Sequence, residues 1–172
     1  MLIEKNKSSL LTIDVQDKLV SVMPKPHKFI DNILKLLKAA SILKIPRLYS
    51  EQYPKGLGTT IGDIYFKYPG IRIEKTAFSV PIKKTRLTDH MIICGIEAHV
   101  CVLQTAINLS KGRKIFVVQD AISSRFEKDY LLALNRLDKY PNIEIVSCEM
   151  VLFEWLRKSG TKEFKSISQL IK

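Results

Sequence analysis

Glycine and proline are sparse, seven of each in 172 residues, so the chain holds neither a collagen-like repeat nor a Pro/Gly-rich disordered tract. Cysteine is scarcer still. Cys94, Cys101 and Cys148 make an odd set with no C-x-x-C spacing, which argues against a disulfide scaffold or a zinc ribbon and for a reducing compartment. No apolar window reaches the roughly 18 residues that cross a bilayer. The opening "MLIEKNKSSLLTIDV" lacks the basic, apolar and small-residue sequence of a secretory signal. A cytoplasmic protein with no membrane partner is expected, a short organellar address being left open. Acidic residues are also in deficit, 17 against 28 Lys plus Arg, for a net charge of +11. Such a charge concentrates anionic partners around the molecule. The basic residues are nevertheless scattered, and no basic block interleaved with aromatics marks a nucleic-acid motif. A nucleic-acid partner stays open without one. What is present, 46% hydrophobic and 26% charged residues, suits one globular domain over residues 1–172 with a sizeable core.

Apolar runs alternate with amphipathic segments along the chain. "SSLLTIDV" (8–15) reads as a strand buried on both faces and closed by Asp14. Residues 28–43 place Phe29, Ile33, Leu36, Leu37 and Ala40 at helical spacing, and "IPRLYS" (45–50) makes a second strand, completing a right-handed β-α-β unit. Residues 51–70 hold four of the seven glycines and no sustained period, so a long functional loop with at most a short helical turn is expected. "IRIEKTAFS" supplies a third strand that delivers Lys75 near its end, and "PIKKTRL" (81–87) a short helix begun by Pro81. "DHMIICGI" is the fourth strand, followed by a helix over 98–111 capped by Gly112. "RKIFVVQDA", a helix over 127–138 and "IEIVSC" come next, then two helices, "EMVLFEWLRKSG" and "KEFKSISQLIK", separated by Gly160. The alternation predicts an α/β fold of three layers, α-β-α, with an open, mainly parallel sheet and helices on both faces.

Sites in such sheets form outside the carboxyl ends of the strands where strand order reverses. Asp14 closes the first strand, Lys75 follows the third, and Cys101 stands about one turn into the helix after the fourth. With a sheet order of 3-2-1-4-5-6, strands one and four are neighbours and Asp14 meets Cys101. A thiol at a helix start beside a cation has its pKa lowered from about 8.5 toward neutrality. Lys75 can supply the cation, Asp14 can accept and return the thiol proton, and amides of the helix start can hold an oxyanion. Taken singly, Asp14 also reads as a cap, Lys75 as a surface charge and Cys101 as a small core residue. Cys94, inside an apolar strand, and Cys148, after the last strand, read as structural.

"LLTIDVQ", "EKTAFS" and "GIEAHVCVLQTA", in that order, resemble the isochorismatase-like cysteine hydrolases. "EQYPKGLG" and "DAISSR" bring the match nearest to the eukaryotic isochorismatase-domain proteins, over roughly residues 8–156. The resemblance implies a six-stranded parallel sheet of order 3-2-1-4-5-6 and a catalytic triad of Asp14, Lys75 and Cys101. It also implies a cis peptide at Ile96–Glu97, with the Glu97 and Cys101 amides as oxyanion donors, and a homo-oligomer of two or more subunits. Gln16, Gln52, Tyr53, Phe78 and His99 are expected against the substrate. The nicotinamidase branch is similar at the triad but binds metal through an Asp-x-His pair after the second strand; here that stretch is "EQY", with Tyr53 at the histidine position. The three histidines His27, His90 and His99 lack ligand-like spacing, so no metal and no cofactor is expected. The leading expectation is a cofactor-independent hydrolase cleaving an amide or related C–N bond of a small molecule through a covalent Cys101 intermediate. An RNA-binding or ribonuclease-associated protein and a non-catalytic oligomeric scaffold are the alternatives.

Overall fold

A computed structural model describes residues 1–82 and 88–171. After a 3-10 turn at Lys5–Lys7, the chain runs β1 (Ser8–Ile13), α1 (Asp17–Val20), α2 (Pro26–Ile42), β2 (Arg47–Gln52), α3 (Pro54–Leu57), α4 (Gly62–Tyr65) and β3 (Ile71–Lys75). It continues with β4 (His90–Ile96), a π-helical turn (Ala98–Val102), α5 (Leu103–Leu109), β5 (Lys114–Ser123), α6 (Glu127–Leu137), β6 (Ile143–Val146), α7 (Cys148–Leu156) and α8 (Lys162–Ser168). All neighbouring strands are parallel, in the expected order β3-β2-β1-β4-β5-β6.

The apolar runs become strands because both of their faces are covered. Side chains alternate across a strand, so Leu10 of β1, Ile92 and Cys94 of β4, and Phe116 and Val118 of β5 pack with α2 and α7 on one side. Leu11 and Ile13, Met91 and Ile93, and Ile115 and Val117 join Ala106, Leu109 and Leu137 of α5 and α6 on the other. The helices change side where β1 meets β4, and at that point Ile13 is paired with Gly95. Gly95 adopts φ +114°, and a Cβ there would stand 2.1 Å from the Ile13 carbonyl oxygen. Only glycine fits so close a backbone approach. Gly95→Ala is expected to cost about 3 kcal/mol or more, read as a lower urea midpoint.

Several boundaries differ from those expected. The long loop over 51–70 contains α3 and α4, each too short for its periodicity to be legible among glycines. The helix expected over 98–111 starts as a π-helical turn, and its last turn passes through Ser110 in right-handed geometry. Gly112 is not among the glycines of positive φ, so the expected left-handed cap does not form. "IEIVSC" stops as a strand at Val146; Ser147 caps α7 by accepting the Met150 N–H, and Cys148 is already helical. Pro81 and Ile82 are not helical, and the rest of the helix expected over 81–87 lies outside the described residues. Among the described residues no helix is long and apolar enough to cross a membrane.

Candidate active site

Asp14 and Cys101 follow β1 and β4, the neighbours at the reversal of strand order, and Lys75 reaches them across the end of β2 from the edge strand β3. Asp14 follows β1 directly, with φ 52°, a conformation that aspartate tolerates better than most residues. That turn keeps its side chain inside the protein, 0% exposed, while its N–H still donates to Ser50 O at 3.0 Å. Lys75 ends β3, its side chain 1% exposed. Cys101 lies in the π-helical turn after β4 and is 7% exposed.

Lys75 Nζ stands 2.8 Å from Asp14 Oδ2 and 3.5 Å from Cys101 Sγ. It also donates to Gln52 Oε1 at 2.6 Å and to the Phe78 carbonyl at 3.1 Å. The second carboxylate oxygen of Asp14 accepts from Ser50 Oγ at 2.6 Å. A buried ion pair is retained at low cost only when its remaining valences are satisfied in this way.

The thiol does not follow the expectation of a lowered pKa. Burial first, and then the Asp14 carboxylate, raise Cys101 to about 12 against the opposing pull of Lys75. A helix start and a cation are legible in sequence, whereas the desolvation that outweighs them depends on how deeply the turn is packed. Cys94 and Cys148 are likewise raised to about 12, again chiefly by burial. Among the described residues neither has a lysine ammonium in hydrogen-bond contact with its sulfur: Cys94 Sγ lies against Thr12 Oγ1 and the Leu11 carbonyl, Cys148 Sγ against the Asn32 carbonyl.

The segment that opens the π-helical turn is held by residues just after β5. The Ile96–Glu97 peptide is cis. Glu97 Oε2 accepts from Arg125 N and Nε at 3.0 and 3.1 Å, and His99 Nδ1 lies 2.9 Å from Ser124 Oγ. Ser124 and Arg125 of "DAISSR" thus clamp the start of the turn that carries Cys101. His99 is turned toward this clamp.

The other residues expected against substrate are placed differently from one another. Gln16 is 0% exposed and bridges Gln52 and Gly58: its Oε1 accepts from Gln52 N, and its Nε2 donates to the carbonyls of Gln52 and Gly58. Gln52 is turned onto Lys75. Tyr53, 55% exposed, sends its N–H to the Lys75 carbonyl and lines a cavity of about 480 Å³ together with Lys75, Thr76 and Pro81. Phe78 has an exposed side chain, 53%, and meets Lys75 through its carbonyl. Ser50 was not singled out from sequence. Its signal is positional: a serine in β2 aligned with Ile13 can reach a carboxylate at the next position.

No group of three or more His, Cys, Asp or Glu side chains converges to hold a metal ion among the described residues. Glu51, which opens "EQY", is 1% exposed, accepts the Thr60 N–H at 2.7 Å and faces Arg72 Nε at 3.6 Å.

Comparison with known proteins matches residues 8–148 to the family model of the isochorismatase domain. Isochorismatase domain-containing protein 2 of Danio rerio is 34% identical over 173 residues, 95% of this chain and 86% of that protein. Among solved structures, a Caenorhabditis elegans protein described as MAR1 ribonuclease superposes with TM-score 0.92 at 34% identity, covering 99% of this chain and 92% of that one. An octameric hydrolase of unknown specificity from Escherichia coli shares the fold, with TM-score 0.87 at 21% identity over 99% of this chain and 90% of that one.

Proposed function

The chain belongs to the isochorismatase family of hydrolases, and from that premise we propose that it is a cysteine hydrolase that cleaves an amide or related C–N bond of a small molecule. The observation that carries the reading is the buried contact of one ammonium with both a carboxylate and a thiol, 2.8 Å to Asp14 and 3.5 Å to Cys101. A carboxylate, a cation and a thiol are the parts that acyl transfer through sulfur requires.

The steps follow from the resting state. The Cys101 thiol is protonated, so its proton passes to Asp14 as the sulfur attacks the substrate carbonyl, and no free thiolate accumulates. The carbonyl π electrons move to oxygen, where the Glu97 and Cys101 amides receive the charge. Lys75 keeps the carboxylate in place. As the tetrahedral species collapses, the C–N bond breaks and the nitrogen leaves with the proton from Asp14. Water, deprotonated by Asp14, then cleaves the thioester and restores the thiol, so that amide and water become carboxylic acid and amine. The mechanism calls on no metal and no cofactor. A homo-oligomer is proposed alongside it, in keeping with the octameric neighbour.

The test is turnover of an amide and carbamoyl panel by the purified chain, together with iodoacetamide labelling resolved by residue. Cys101 is expected to label about tenfold or more faster than Cys94 or Cys148, because it is more exposed than either and its sulfur has the Lys75 ammonium at 3.5 Å to steady the developing thiolate. Equal rates at the three would count against a nucleophilic Cys101.

A second reading, RNA binding or a ribonuclease association, is favoured by the net charge of +11 and by the similarity to the Caenorhabditis elegans protein described as a ribonuclease. Binding through phosphate neutralisation weakens steeply with salt. Its check is an RNA mobility shift at two salt concentrations.

A further inference from the structure

An ammonium group has three N–H bonds to give, and Lys75 meets four acceptors. Gln52 Oε1 at 2.6 Å, Asp14 Oδ2 at 2.8 Å and the Phe78 carbonyl at 3.1 Å are the three close oxygens; Cys101 Sγ, at 3.5 Å, is the fourth. Sulfur is the weakest acceptor of the set and the farthest, so it is left with a share of a bond already made elsewhere.

Gln52 is itself fixed at every polar atom. Its Nε2 donates to the Thr76 carbonyl at 2.8 Å, its N–H donates to Gln16 Oε1 at 2.7 Å, and its carbonyl accepts from Gln16 Nε2 at 3.1 Å. Gln16 is anchored in turn on the Gly58 carbonyl. The Gln16 amide therefore ties the Gln52 backbone to Gly58, and the Gln52 amide in turn holds the ammonium. The Thr76 contact also orients the Gln52 amide, because with Nε2 on a carbonyl, Oε1 is the atom left to face Lys75.

We propose that Gln52 is a positioning residue, which takes one Lys75 N–H so that the ammonium is held on Asp14 and drawn away from the Cys101 sulfur. The thiol thereby stays protonated until a carbonyl group arrives to be attacked. The catalytic consequence rests on the nucleophilic reading of Cys101. The effect on the thiol does not, since ionisation can be measured without turnover.

The experiment is the pH profile of iodoacetamide labelling at Cys101 in the full chain, with Cys94 and Cys148 as internal reporters of folding. Gln52→Met frees one N–H for the sulfur. Cys101 is expected to label about tenfold faster at a fixed pH below the midpoint, which moves down by about one pH unit. Gln52→Glu keeps the shape and adds a negative charge beside Lys75, so labelling is expected to slow several-fold and the midpoint to rise. Opposite responses are the signature, because a merely structural role would move both variants the same way. Same-sign changes, or none in either variant, would overturn the proposal. If Gln52→Met exposes Cys94 and Cys148 to label as well, the glutamate variant decides alone, and unchanged or faster labelling in it overturns the proposal. Turnover that is lost with Cys101 but indifferent to Gln52 would remove this inference and leave the hydrolase reading standing. Turnover that survives Cys101→Ala would do the reverse.

Discussion

Cys101→Ala is expected to abolish amide turnover, a loss of about 10⁴-fold or more, while the protein unfolds within a few degrees of the parent. Removing a nucleophile takes away the covalent path itself, whereas the packing change is confined to one sulfur atom. Cys101 sits against Ala98, Val102 and Ala106 in the cluster between the sheet and α5, and alanine fits any helical position. The sulfur is an acceptor only at the long limit of Lys75, so its removal strands no buried donor. Two outcomes separate the readings. Lost turnover in a folded variant supports the thiol as nucleophile, and retained turnover removes it. The same variant bears on RNA: unchanged affinity beside lost turnover would make binding and hydrolysis separate properties of the molecule.

How much of this was legible in the sequence depends on which physical signal each feature leaves. The central strands were readable because a strand buried on both faces is largely apolar, as at Leu10, Leu11 and Ile13 of β1, whereas β3 is mostly exposed and is marked only by its short apolar alternation. The meeting of Asp14, Lys75 and Cys101 was readable because all three lie at strand ends on the side where parallel strands place their sites. Register-dependent contacts left no such mark. Ser50 reaches Asp14 only because β1 and β2 align Ile13 with Ser50, and Gln52 faces Lys75 because β2 and β3 pair those two residues. Gln16 and Gln52 were expected at a substrate, as polar side chains near a strand end usually suggest. Their amides are instead engaged with the protein itself. The thiol's pKa went the other way from the expectation for the same kind of reason: charge is written in the sequence, and depth of burial is not.

Lys75→Met is expected to lower stability by about 3–5 kcal/mol, the usual cost of stranding one member of a buried ion pair. Methionine fills much of the space of the lysine stem, so little of that loss comes from packing. The cost arises at Asp14, fully buried, whose Oδ2 loses its 2.8 Å partner while Oδ1 keeps the Ser50 hydroxyl. Gln52 Oε1 and the Phe78 carbonyl lose the same donor. Against a typical total of about 5–15 kcal/mol, such a loss brings the urea midpoint sharply down and can leave part of the population unfolded. The double variant Asp14→Asn with Lys75→Met separates the causes. Asparagine is tolerated at the φ of 52° found there, and its neutral amide removes the stranded charge. The pair is therefore expected to be more stable than Lys75→Met alone, a coupling read from the double-mutant cycle. Labelling of Cys101 adds an independent reading, because Lys75 is the group that draws the thiol downward against burial and Asp14. Without it, labelling should slow in Lys75→Met, provided Cys94 and Cys148 stay protected. A Lys75→Met protein as stable as its parent would mean that the ammonium does not neutralise a buried carboxylate, and the site would then lack the charge pairing on which the proposed chemistry depends.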